Sequence, residues 1–140
     1  MEKKVTFEDI NVGDELPPVI RKVTQEKINR YGLVSGDITS FHVDPEAAAQ
    51  TIYQVTVASG VYLETLFSQM MLNWLANPKG WLSGGKLNTK LVKPVYPGDT
   101  ITARGRVTDK VASDRRVVCE VTVESQKGEI VVVGEASALC

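Results

Sequence analysis

A chain of 140 residues, 43% of them hydrophobic, is long enough for one real core and too short for two independent ones, so a single α+β domain spanning 1–140 is expected. Its 16 basic and 17 acidic residues are spread along the chain and leave a formal charge of −1, which provides neither a nucleic-acid footprint nor a polybasic membrane patch. No run approaches the roughly 20 apolar residues of a spanning helix, and Met1-Glu2-Lys3-Lys4 lacks the apolar stretch of a secretory signal, so the expected compartment is the cytoplasm.

The elements can be taken in chain order. A Gly13-Asp14 turn and the extended pair Pro17-Pro18 lead into a first strand around Val19–Val23. Thr24 is a good N-cap, and Ile28, Tyr31 and Val34 at helical spacing carry a short amphipathic helix to about Ser35. After a loop, Asp44 as cap and Pro45 in the first turn start another short helix, to about Gln50, and Thr51–Val57 reads as mixed, partly extended chain. A long helix of some 17 residues then runs from about Ala58 to Leu75, ended by Asn77-Pro78-Lys79-Gly80. Its apolar residues at 63, 66, 67, 70, 71, 74 and 75 make a face wider than a surface helix needs, so burial along most of its length is expected.

From Trp81 the period changes to two. Leu87, Thr89 and Leu91 alternate with polar neighbours, as do Ile101, Ala103, Gly105 and Val107, then Val117, Cys119, Val121 and Val123. Lys127-Gly128 makes a hairpin turn into Ile130–Val133. One long apolar helix followed by consecutive antiparallel strands predicts a sheet curled around that helix. One helix cannot cover such a sheet alone, so a two-fold dimer is expected to complete an edge or an apolar rim. Cys119 and Cys140 form no CxxC pair, and a lone imidazole with scattered carboxylates is no ligand set, so no disulfide, metal or prosthetic group is expected.

The stretch Val34-Ser35-Gly36-Asp37-Ile38-Thr39-Ser40-Phe41-His42-Val43-Asp44-Pro45 stands apart because it holds the only histidine, five residues after a carboxylate. Asp37 and His42 converging on one water would both activate it and return a proton. A lone histidine is also compatible with plain packing, and Asp44-Pro45 is an ordinary helix start.

Three landmarks, Ser35-Gly36-Asp37-x-x-x-x-His42-x-Asp44-Pro45, Ala58-Ser59-Gly60-Val61 opening the long helix, and Lys93-Pro94-Val95-x-x-Gly98-Asp99 before a strand, resemble the MaoC-like, (R)-specific enoyl-CoA hydratases of the hot-dog fold. The resemblance covers nearly the whole chain. It implies a catalytic pair at Asp37 and His42 and a thioester carbonyl received by the backbone N–H of Gly60, and it places Ser68 near the catalytic water. A Ser68 hydroxyl bonded back to the preceding helical turn is the structural alternative. It also implies a CoA or acyl-carrier thioester as partner, a homodimer or dimer of dimers, and hydro-lyase chemistry without a cofactor.

The chain departs from the family pattern where Asn-Pro is replaced by Thr39-Ser40, and where a histidine before the helix glycine is replaced by Ser59. Thr39 and Ser59 are therefore candidate substrate-binding positions that would mark an altered substrate or reduced turnover. The alternatives to hydration are an acyl-CoA binding protein and a thioesterase on the same fold. A serine nucleophile is disfavoured, since Ala58-Ser59-Gly60 is no Gly-x-Ser-x-Gly elbow and no second histidine exists to serve it.

Overall fold

The computed structural model describes residues 3–36 and 40–140; Asp37, Ile38 and Thr39 lie outside the described residues. A short 3-10 turn at Phe7–Asp9 is closed by Asp9, whose carboxylate accepts from both the backbone N–H and the hydroxyl of Thr6. Strand β1 (Val19–Lys22) follows the Pro17-Pro18 pair. Helix α1 (Gln25–Ser35) begins where Thr24 Oγ1 accepts the Lys27 N–H at 3.1 Å. It ends at Gly36, whose φ of 82° puts it in the left-handed conformation that glycine adopts without a Cβ penalty.

Two short helices come next, α2 (Ser40–Val43) and α3 (Pro45–Ala49), with Asp44 capping the second through its bond from the Glu46 N–H. Residues 52–53 form a turn and 54–55 a bend within the stretch that the sequence reads as mixed, partly extended chain. The long helix α4 (Gly60–Trp74) has 15 residues, a little shorter than the sequence suggests. Leu75 leaves it with a ψ of 134° to bridge Val5, and the Ala76 N–H donates to Val5 O. Residues 79–80 do not end α4 as expected but begin a separate helical turn, α5 (Lys79–Leu82).

Strands β2 (Lys86–Leu91), β3 (Thr100–Val111), β4 (Arg116–Ser125) and β5 (Ile130–Leu139) complete one antiparallel sheet in the order β1-β3-β4-β5-β2. β3 and β5 run several residues past the alternation visible in the sequence. The period-two residues Ile101, Ala103 and Val107 on β3 and Val117, Cys119, Val121 and Val123 on β4 all point inward and are buried. α4 lies against this face with Leu63, Leu66, Phe67, Met70 and Met71 fully buried. Each such side chain contributes about 1.5–3 kcal/mol by burial, and the repeated contact fixes the helix across the sheet.

This is the α+β hot-dog arrangement. Met70, Met71 and Trp74, on the apolar face of α4, are core. Cys119 sits among them, and burial pushes its thiol up to about 12, so it stays protonated and unreactive.

Candidate active site

His42 is on α2 and 9% exposed, and its Nδ1 lies 2.7 Å from the carbonyl oxygen of Val57. A carbonyl only accepts, so Nδ1 carries the hydrogen and, in the neutral imidazole, Nε2 keeps the lone pair. The ring is packed by Phe41, with centroids 4.2 Å apart, and Phe41 in turn faces Tyr53 at 6.5 Å. Tautomer and orientation are thus both fixed.

The backbone behind His42 is held from α1. Gln25 Nε2 donates to His42 O at 2.8 Å, and Gln25 Oε1 accepts from the Thr56 hydroxyl at 2.6 Å. One amide therefore ties together both sides of the turn that carries His42 and its partner Val57. The next residue, Ala58, donates its N–H to Val95 O, which fastens the same segment to the loop before β3. Gln25 is the first residue of α1, and nothing in its local sequence sets it apart. Its partners lie 17 and 31 residues away, which no local pattern signals.

Gly60 is the first residue of α4. The Ser59 hydroxyl accepts the Tyr62 N–H at 3.1 Å, and Ser59 O takes the Leu63 N–H, so the amides of Gly60 and Val61 have no intrahelical acceptor. At the positive end of the helix dipole such amides favour a negative oxygen. A Cβ added at Gly60 would come within 2.6 Å of Leu91 Cδ1, so the half-exposed Leu91 side chain would have to shift to admit one. His42 and Gly60 line one cleft of about 340 Å³, walled by Tyr53, Val57, Leu91 and Pro94.

The other candidates are placed differently. Ser59 is buried at 5%, with its hydroxyl occupied as the α4 cap. Ser68, two turns further along α4, accepts the Trp81 indole N–H at 2.9 Å and is not among the residues lining the cleft. Asp37 and Thr39 lie outside the described residues.

Among the described residues, an oriented imidazole and helix-start amides without an intrahelical acceptor line one cleft, an arrangement that can support proton transfer beside a developing oxyanion. A family model described as MaoC like domain matches residues 11–129. The chain belongs to the MaoC-like domain family. It is 31% identical over 111 residues to a protein from Aeromonas caviae named (R)-specific enoyl-CoA hydratase, covering 79% of this chain and 81% of that one. Over 110 residues it is also 31% identical to Protein MaoC of Klebsiella aerogenes, of which it spans only 32%. Among solved structures, R-hydratase PhaJ1 from Pseudomonas aeruginosa in the unliganded form superposes with a TM-score of 0.85 at 24% identity, over 98% of this chain and 86% of that one. That likeness concerns the fold. No helix among the described residues is long and apolar enough to cross a membrane.

Proposed function

We propose that this MaoC-like domain catalyses reversible hydration of a trans-2-enoyl thioester to the (R)-3-hydroxyacyl thioester. The observation that carries the reading is the His42 Nδ1 bond to Val57 O in the same cleft as the Gly60 amide. It leaves Nε2 as the basic atom, next to a place for an oxyanion. The names borne by relatives in this family supply the substrate class.

In this mechanism the thioester carbonyl oxygen rests against the Gly60 N–H, which becomes a stronger partner as the oxygen gains enolate charge. Asp37 and His42 share one water. As the water oxygen adds to Cβ, the pair takes one of its protons and returns one to Cα on the same face, so no net proton is lost. The apolar side chains of Val57, Leu91 and Pro94 line the cleft around the reacting atoms. No cofactor enters the scheme. Departure from the family at Thr39 bears on how Asp37 is braced, because threonine offers fewer hydrogen bonds than asparagine.

β2 is an edge strand, and Leu91 and Val92 at its end are about half exposed. We assign this edge to a second copy of the chain, giving a homodimer in the cytoplasm; a monomeric mass in light scattering would remove that part of the proposal.

The test is a steady-state assay of wild type, Asp37→Asn and His42→Ala on crotonyl-CoA and longer enoyl-CoAs, with chiral analysis of the 3-hydroxy product. Loss of turnover in both variants and an (R) product are expected. Wild-type activity in either variant refutes the assignment, and release of free CoA thiol in place of hydration identifies a thioesterase. Tight acyl-CoA binding without either reaction identifies a binding protein.

A further inference from the structure

Among the described residues lining the cleft of His42 and Gly60, Lys93 is the one formally charged side chain. The remaining walls are apolar, contributed by residues such as Tyr53, Val57, Leu91 and Pro94. A ligand that fits this lining is neutral along the walls and anionic at one end. Lys93 is held at a defined place by its backbone, since both its N–H and that of Val92 donate to Val131 O, at 3.3 and 2.8 Å, and Pro94 stiffens the next step.

Its side chain has a partner that is easily displaced. The ammonium lies 3.6 Å from a carboxylate oxygen of Glu129, with both side chains about half exposed, 50% and 51%. Such a pair contributes little, because solvent screens it and both chains lose freedom to hold it. A phosphate makes stronger charge-assisted bonds, and a lysine on a flexible stem meets it as a mobile point charge. Four arginines that could otherwise meet such a group are engaged elsewhere. Arg104 and Arg106 are paired on the outer face, Arg115 binds Glu8, and Arg116 donates to Gly84 O and Ser137 Oγ.

Resting on the hydratase reading of the cleft, we infer that Lys93 selects thioesters whose pantetheine arm is phosphorylated, and that Glu129 is the counter-ion which the phosphate displaces. Lys93 is then a specificity residue. It discriminates the carried end of the substrate and takes no part in proton transfer. Coenzyme A and the prosthetic arm of an acyl-carrier protein share the chemistry, a phosphate on pantetheine.

The experiment compares three crotonyl thioesters, of pantetheine, 4′-phosphopantetheine and CoA, in wild type, Lys93→Met and Glu129→Gln. In Lys93→Met, KM for the phosphorylated substrates rises about tenfold with kcat unchanged, as expected for loss of a charge-assisted contact made equally in ground and transition states. KM for crotonyl-pantetheine stays at the wild-type value. Glu129→Gln lowers KM for the phosphorylated substrates severalfold. An effect shared by 4′-phosphopantetheine and CoA places the contact on the phosphate common to both carriers and upholds the inference, whereas an effect confined to CoA places it on the nucleotide and overturns it. An unchanged KM for CoA in Lys93→Met, or an equal rise for all three thioesters, overturns the inference.

Should wild type turn over none of the three, the hydratase reading fails, and calorimetry with CoA and pantetheine decides the inference by itself. Binding of CoA that weakens about tenfold in Lys93→Met upholds it, and binding that is absent or indifferent to Lys93 removes it. Circular dichroism melting of each variant separates these outcomes from misfolding, since both side chains are on the surface.

Discussion

The body of sheet and α4 differs from the segment 40–59 in what holds it. Between β3, β4 and β5 the strands pair in long antiparallel registers, and α4 alone adds seven buried side chains against them. The segment 40–59 has three buried hydrophobic residues, Ala48, Val57 and Ala58, while Ile52 and Val55 are exposed. Individual hydrogen bonds hold it in place: Gln25 to His42 O and Thr56, His42 to Val57 O, and Ala58 to Val95 O. Burial is non-directional and tolerates small errors, whereas a proton-transfer geometry needs a side chain fixed within a fraction of an ångström. On the proposed reading, stability and chemistry fall to different parts of one domain and meet at the first turn of α4.

Two substitutions should separate the parts most sharply. Phe67→Ala, at a fully buried site on α4, is expected to cost about 3–5 kcal/mol in urea unfolding while the folded fraction keeps its turnover. His42→Ala should lower kcat about 10²–10⁴-fold with a much smaller loss of stability. A His42→Ala protein that melts as early as Phe67→Ala would erase the distinction, because the histidine would then be part of the load-carrying core.

Gln25 sharpens the comparison at an intermediate size. Gln25→Ala removes the bonds to His42 O and to Thr56, each worth about 1 kcal/mol net and more where a buried group is left unpaired. Turnover should fall roughly tenfold through misplacement of the imidazole. Gln25→Glu keeps the acceptor for Thr56 and loses the donor to His42 O, so an intermediate kcat is expected. A purely structural Gln25 would give two variants alike in activity once corrected for folded fraction.

The same contrast explains what the sequence reveals. The caps Thr24 and Asp44 and the alternation along β3 and β4 are local chemistry, and the structure has each of them where the pattern puts it. The second half of β5 is hidden because Gly134, Ala136 and Ala138 are poor strand formers on their own, and pairing with β2 and β4 on either side makes them a strand. α4 stops early for a non-local reason too, the bridge of Leu75 to Val5. In the cleft, His42 stands out in the sequence as the only histidine, whereas Gly60 enters only through the family resemblance. The tie of His42 to Val57 and the clamp of Gln25 depend on contacts across 15 to 31 residues, which composition and period do not encode.

Ser59 lies on the seam between the two parts, and its loss should register in both. As N-cap of α4 its hydroxyl takes the Tyr62 N–H, so Ser59→Ala should cost about 1 kcal/mol. Ser59→Asp restores the cap, yet puts a negative charge beside the amides of Gly60 and Val61. Stability near wild type with reduced turnover is the expected result for Ser59→Asp. Equal turnover in wild type and Ser59→Asp would mean that these amides meet no developing negative charge.

The smallest effect belongs entirely to the body. Arg115, in the turn before β4, binds both carboxylate oxygens of Glu8 and holds that carboxyl down to about 2 from its ordinary 4.5. A carboxyl whose folded-state pKa is depressed adds stability that is complete above its unfolded value and disappears as pH falls through its folded one. The melting-temperature gap between wild type and Glu8→Gln should therefore be widest near neutral pH and close between about pH 4.5 and pH 2. The group is fully exposed, so added salt should narrow the gap at any pH. Turnover should not follow the gap, since the pair is remote from the cleft. If Glu8→Gln changes turnover in step with melting temperature, body and segment 40–59 unfold as one unit, and the two differ in the kind of contact alone.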